Sequence, residues 1–174
     1  MQYLVYIAAG FLLLYTLSQE SAKATKEGNM TKFNDLFKKH ANRKGLDWRL
    51  LKAIATVESS LNPQAYNPND PSYGLMQLLC RQDGASGTCT NRLNVSDWPP
   101  ENPNQLFDPD YSIHIASQIL RWNIDNYGFK RGIATYNAWS AHKAPPNGPF
   151  PNQDYVDKVL SEYRNLGGHV PREG

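Results

Sequence analysis

Apolar side chains return at helical spacing in several separated segments of this 174-residue chain, and a chain patterned that way folds as a mainly α protein. Phe33, Leu36, Phe37 and His40 share one face of a first helix, which Thr31 is placed to cap and Gly45 to stop. Asp47 can cap a second helix that carries Trp48, Leu51, Ile54, Ala55 and Glu58, and Pro63 limits it. Asp108-Pro109 opens a third, with Ile115, Ile119 and Trp122 on one face. A short helix over Ile133–Trp139 follows, then a Pro-rich loop. Tyr155, Val156, Val159, Leu160 and Tyr163 mark the last helix, ended by Gly167-Gly168. From Asn62 to about Pro109 the chain is rich in Asn, Pro, Gly and Ser, with one apolar piece around Gly74–Leu79, and a long ordered loop is expected there.

Ahead of these helices lies a different segment. Residues 3–17 read YLVYIAAGFLLLYTL, without charge or proline. The run is short of the about 20 residues that span a bilayer, and three readings stand: an uncleaved membrane anchor, a cleaved signal and a buried core helix. Tyr3, Tyr6 and Tyr15 near its ends suit a membrane interface, while Ala22-Lys23-Ala24 has the small-x-small form of a cleavage site. Lys23 and Lys26 follow the run and nothing basic precedes it, which by charge alone leaves the C-terminal part on the cytoplasmic face. The expected organisation is an anchor or signal over 1–18, a polar linker over 19–30, one domain over 31–168 and a tail over 169–174.

Composition excludes several function classes. The net charge of +2 is too weak to argue for nucleic acid, and 40% hydrophobic with 20% charged residues is not a disordered composition. His40, His114, His142 and His169 are scattered with no HExxH-like spacing, so neither a metal nor another cofactor is expected. Cys80 and Cys89 fit neither a CxxC pair nor a zinc site. A flexible interval of Gly, Ser and Thr lets them close a disulfide in an oxidising compartment, and two free thiols are the other reading.

Glu58 is the residue that carries chemistry. It stands four residues after Ile54 and seven after Leu51, at the end of an apolar stripe. Such a carboxylate is either a solvated helix end or partly buried, and burial raises its pKa towards that of a general acid. Taken singly, Met76 reads as core filler, Gln77 as a loop tie and Tyr136 as a core ring.

The order of motifs changes that reading. Glu58-Ser59-Ser60-Leu61-Asn62-Pro63 precedes Gly74-Leu75-Met76-Gln77-Leu78, which precedes Tyr136-Asn137-Ala138. From about Phe33 to Tyr163 the chain resembles the soluble-type lytic transglycosylase domain, a lysozyme-like fold related to goose-type lysozyme. The resemblance implies that Glu58 is the acid/base and that Ser59, Met76, Gln77, Tyr136 and Asn137 shape the sugar site. It also implies a peptidoglycan substrate, cut between N-acetylmuramic acid and N-acetylglucosamine to leave 1,6-anhydro ends, with no cofactor. Trp139 stands where the family often has glycine, and is expected to narrow a groove wall or to stack on a sugar. The segment after Leu79 that holds the cysteines has no counterpart in the family pattern.

Ordinary glycosidases use two carboxyl groups, and here the next ones in the chain are Asp70 and Asp83, neither in a recognisable catalytic motif. Two other readings stay open: a goose-type muramidase in which Asp70 activates water, and a non-catalytic glycan-binding or structural membrane protein. The expected partners are peptidoglycan strands, a membrane through residues 3–17, and proteins of a phage virion or of a secretion or conjugation machine. The expected location is a membrane facing the periplasmic wall.

Overall fold

The computed structural model describes residues 28, 31–82, 88–90, 95–145 and 149–172. The apolar run over 3–17 therefore lies outside the described residues. The chain divides into two compact units, 1–32 and 33–174. In the first, Thr31 donates its hydroxyl to the Gly28 carbonyl and does not cap the helix that follows. Among the described residues the second unit holds five α-helices and a small sheet.

Helix α1 (Asn34–Lys44) starts from Phe33 in a left-handed conformation with no side-chain cap. Its charges suit the helix dipole, with Asp35 in the first turn and Arg43 and Lys44 in the last. Gly45, at φ 62°, ends it as its position suggests. The face of Phe37, His40 and Ala41 is buried, and His40 Nε2 lies 2.6 Å from Asp110 Oδ1, tying α1 to the start of the long helix. Helix α2 (Trp48–Ser59) is capped by Asp47, whose Oδ1 accepts from Arg49 N at 3.0 Å. It stops at Ser59, ahead of Pro63, because Ser60 and Leu61 both take positive φ and turn the chain away. Leu50, Leu51 and Ile54 are fully buried, each contributing roughly 1.5–3 kcal/mol.

Helix α3 (Pro109–Tyr127) begins where Asp108-Pro109 predicts, with Asp108 Oδ1 accepting from Tyr111 N at 2.8 Å. Helix α4 (Phe129–Asn137) starts four residues earlier than the sequence reading and ends two earlier, and Trp139–Lys143 forms a separate 3-10 turn. Helix α5 (Gln153–Asn165) closes with Gly168 N–H donating to the Tyr163 carbonyl at 2.8 Å. Helix α2 packs against α1 and α5, and α3 against α1 and α4, around one core of Leu, Ile, Ala, Val and Phe side chains.

The stretch expected to be loop holds more order than its composition suggests. Among its described residues are three antiparallel two-residue strands in the order β1-β2-β3: Tyr66–Asn67, Ser72–Tyr73 and Leu78–Leu79. Tyr66 pairs with Tyr73 and Ser72 with Leu79. A 3-10 turn over Pro103–Phe107 precedes α3. Strands of two residues show no alternation, so periodicity could not reveal them. Just past β3, Cys80 and Cys89 are joined by a disulfide and are buried. No helix among the described residues is long and apolar enough to cross a membrane.

Candidate active site

The last turn of α2, the loop after β2, the end of α4 and the start of α5 meet around Glu58. Ser59 joins the first two: its hydroxyl shares its one proton between the Leu75 carbonyl at 2.8 Å and the Ala55 carbonyl at 3.1 Å. Gln77 sits at φ 47°, and its Nε2 donates to the carbonyls of Ala65 and Gly74 at 3.2 and 3.0 Å. Tyr136 reaches across from α4 and donates its hydroxyl to the Met76 carbonyl at 2.9 Å.

Glu58 is mostly buried, and its carboxyl is pushed up to about 7, chiefly because burial strips water from the anion. Two donors oppose that shift. Tyr155 of α5 donates its hydroxyl to Glu58 Oε1 at 2.7 Å, and the side chain of Asn137 bonds the same carboxyl. Asn152 donates to Asn137 Oδ1 at 3.0 Å, leaving the Asn137 amide hydrogens for Glu58. The hydroxyls of Tyr136 and Tyr155 are both held well above their ordinary range by burial first and by Glu58 second. They stay protonated at every pH at which the carboxyl titrates.

These groups border a cleft of about 580 Å³. Glu58, Gln77, Tyr136 and Asn137 line it, as do Asn67, Asp70 and Ser72 from the small sheet and Ile119, Trp122 and Asn123 from α3. Two sequence candidates sit elsewhere. The Met76 side chain is fully buried in the core, and this residue contributes its carbonyl to the site. Ser59 is spent on tying the helix end to the loop. Trp139 lines the cleft, is 60% exposed, and stacks on Trp122 with ring centroids 6.1 Å apart at 22°. Arg131 pins its turn by donating to the carbonyls of His142 at 3.3 Å and Ala144 at 2.5 Å.

Tyr155 escaped the sequence reading as a site residue. It falls on the apolar stripe of the last helix, where a tyrosine is indistinguishable from a core ring. No signal within its own segment points to Glu58, 97 residues away. Asp70, the second carboxylate of the cleft, is 60% exposed and lies 3.7 Å from Arg81. Among the described residues no group of three or more His, Cys, Asp or Glu side chains is gathered as a metal ion would need.

Comparison with known proteins adds the following. A family model described as the transglycosylase SLT domain matches residues 35–154. The chain is 34% identical over 109 residues to the soluble lytic murein transglycosylase of Escherichia coli K12, covering 61% of this chain and 16% of that protein. It is 33% identical over 106 residues to membrane-bound lytic murein transglycosylase E of Buchnera aphidicola, covering 61% of this chain and 44% of that protein. The crystal structure of the 70 kDa soluble lytic transglycosylase from Escherichia coli matches with a TM-score of 0.59 and 27% identity, over 79% of this chain and 25% of that one. The chain thus spans less than half the length of each of these relatives.

Proposed function

This chain belongs to the transglycosylase SLT domain family, and from that membership we propose that it is a peptidoglycan lytic transglycosylase, cleaving the β-1,4 bond between N-acetylmuramic acid and N-acetylglucosamine. The observation that carries the reading is Glu58, a single desolvated carboxyl with its pKa raised to about 7 at the wall of a cleft of about 580 Å³. At neutral pH a large share of it is protonated and able to act as an acid.

The proposed sequence of steps uses that carboxyl twice, first as acid and then as base. Glu58 gives it to the glycosidic oxygen as the bond to C1 of the muramoyl sugar breaks. The carboxylate left behind is the state that Tyr155 and Asn137 favour, so their hydrogen bonds strengthen as charge develops. The substrate's own acetamido oxygen supports the cationic C1. Glu58 then takes the proton of the C6 hydroxyl, whose oxygen bonds to C1 and closes a 1,6-anhydro ring. No water is consumed, and Tyr136, Ile119 and Trp122 border the cleft with largely apolar surface that disfavours water.

The buried disulfide supports action in an oxidising compartment, which suits the cell wall outside the cytoplasm. The relatives include a soluble and a membrane-bound enzyme. For this chain we propose attachment through residues 3–17, in a phage virion or a secretion or conjugation machine that opens the wall locally.

Asp70 also lines the cleft, which favours one second reading, a hydrolase in which it activates water. Mass spectrometry of muropeptides released from purified peptidoglycan separates the two. Anhydro ends, each lighter by one water, are expected. Asp70→Asn is expected to keep the rate within a factor of about ten, since no base for water is required. Reducing muramic ends free of the anhydro form would make water the nucleophile and overturn the transglycosylase reading.

Tyr155 gives a further prediction. In Tyr155→Phe the desolvation of Glu58 loses one of its two opposing donors, so the carboxyl moves further up. The alkaline limb of the kcat/KM profile, set near pH 7 by loss of the Glu58 proton, is expected to shift to higher pH. At the same time kcat is expected to fall by about tenfold, because the anion formed during reaction is less stabilised. An unmoved limb would mean that Tyr155 does not act on Glu58.

A further inference from the structure

Two polar side chains in the cleft wall are left without partners, apart from the Glu58 network. Asn123 of α3 is 3% exposed and lines the cleft, and its amide has no hydrogen-bond partner among the described residues. Thr135 of α4 is 4% exposed and lines the same cleft, and its buried hydroxyl also lacks a partner. The Thr135 hydroxyl is a buried polar group without a partner, and the Asn123 amide opens on the cleft with no protein partner among the described residues. Buried polar groups are nearly always satisfied, so the pair points to a ligand that supplies the bonds.

The chemistry of the wall narrows that ligand. An asparagine amide offers one acceptor and two donors in a plane. Ile119, one helical turn before Asn123, and Trp122 and Val95 set apolar surface in the same cleft. A group that answers both is planar, carries an N–H and a C=O, and ends in a methyl. A 2-acetamido substituent has that form: the Asn123 amide can donate to its C=O or accept from its N–H, which point in opposite directions in a trans amide. A lone hydroxyl offers no methyl for the apolar wall, and the ammonium of a de-N-acetylated sugar offers no acceptor and resists desolvation.

We propose that Asn123, assisted by Thr135, is a specificity-determining contact for the acetamido group of a bound sugar, and that it selects N-acetylated glycan strands over de-N-acetylated ones. The proposal rests on the peptidoglycan reading of the cleft and adds to it a residue outside the Glu58 network.

The test uses the full chain carrying Glu58→Gln, which binds without turnover, and two probes: a tetrasaccharide of N-acetylglucosamine and its fully de-N-acetylated glucosamine counterpart. Calorimetry is expected to show a preference of about tenfold or more for the acetylated probe, the size of one well-made hydrogen-bonded contact. Adding Asn123→Leu is expected to bring the preference to within about twofold, with a melting temperature unchanged, since the amide makes no hydrogen bond within the protein. A merely structural role for Asn123 would lower the melting temperature and leave the preference. If Asn123→Leu folds poorly, Thr135→Val removes a hydroxyl at near-constant volume and is expected to reduce the preference severalfold. A preference that survives both changes overturns the proposal while leaving the catalytic reading intact. Failure of the acetylated probe to bind the folded protein would overturn the proposal, and anhydro product from the unsubstituted chain decides the catalytic reading separately.

Discussion

Glu58→Gln is expected to cut turnover of peptidoglycan by at least about 10²–10⁴-fold, the range that general acid–base catalysis supplies, while making the folded protein more stable at alkaline pH. Both effects come from one carboxyl. Glutamine keeps its shape and can still accept from Tyr155, but it has no acid proton to give. The stability effect follows from linkage. The folded-state pKa of Glu58, about 7, lies above the ordinary value of 4.5. A group raised in this way contributes its full stability below the unfolded value, and that contribution is lost as pH rises through the folded value. A displacement of this size corresponds to on the order of 3 kcal/mol. The two proteins are therefore expected to have similar denaturant midpoints at pH 4, and the glutamine variant the higher midpoint at pH 8. Near-full activity in the variant would move the acid elsewhere. Equal midpoints at both pH values would show that the carboxyl is not desolvated.

Gly74→Ala is expected to cost at least about 3 kcal/mol and to remove activity with it. Gly74 has φ +74°, where a side chain is strained, and a Cβ there would lie 1.9 Å from the Leu106 carbonyl oxygen. The obstacle is backbone in the 3-10 turn before α3, so no rotamer change relieves it. The same residue holds the site loop together: its N–H donates to the Ala65 carbonyl at 2.8 Å, and its own carbonyl accepts from Gln77 N at 3.2 Å and Gln77 Nε2 at 3.0 Å. Separating Gly74 from Leu106 displaces Gln77 and the Leu75 and Met76 carbonyls that anchor Ser59 and Tyr136. Thermal unfolding should show a loss of about 10 °C or more. A variant with the melting temperature and activity of the parent would mean that the close approach of Gly74 to Leu106 is not real.

What the sequence determined by itself was local. Asp47 and Asp108 start their helices because a carboxylate two or three residues ahead of a free N–H needs no distant help. Gly45 stops α1 because it accepts positive φ, and the stripe of Leu51, Ile54 and Ala55 goes inward because its spacing matches the helix. The order of the motifs around Glu58, Gln77 and Tyr136 pointed to the family for the same reason: each motif is contiguous. The tertiary structure alone decided the rest. Phe33 enters α1 uncapped, the two-residue strands pair only because the loop folds back, and Met76 is turned into the core while its carbonyl meets Tyr136. Tyr155 becomes the donor to Glu58 because α5 packs on α2, and Asn123 is left without a partner because α3 meets a cleft where it could have met protein. Spacing along a chain sets which face a side chain occupies. Which atom that face then meets depends on packing between segments tens of residues apart, and it is that packing which removes water from Glu58 and raises its pKa to about 7.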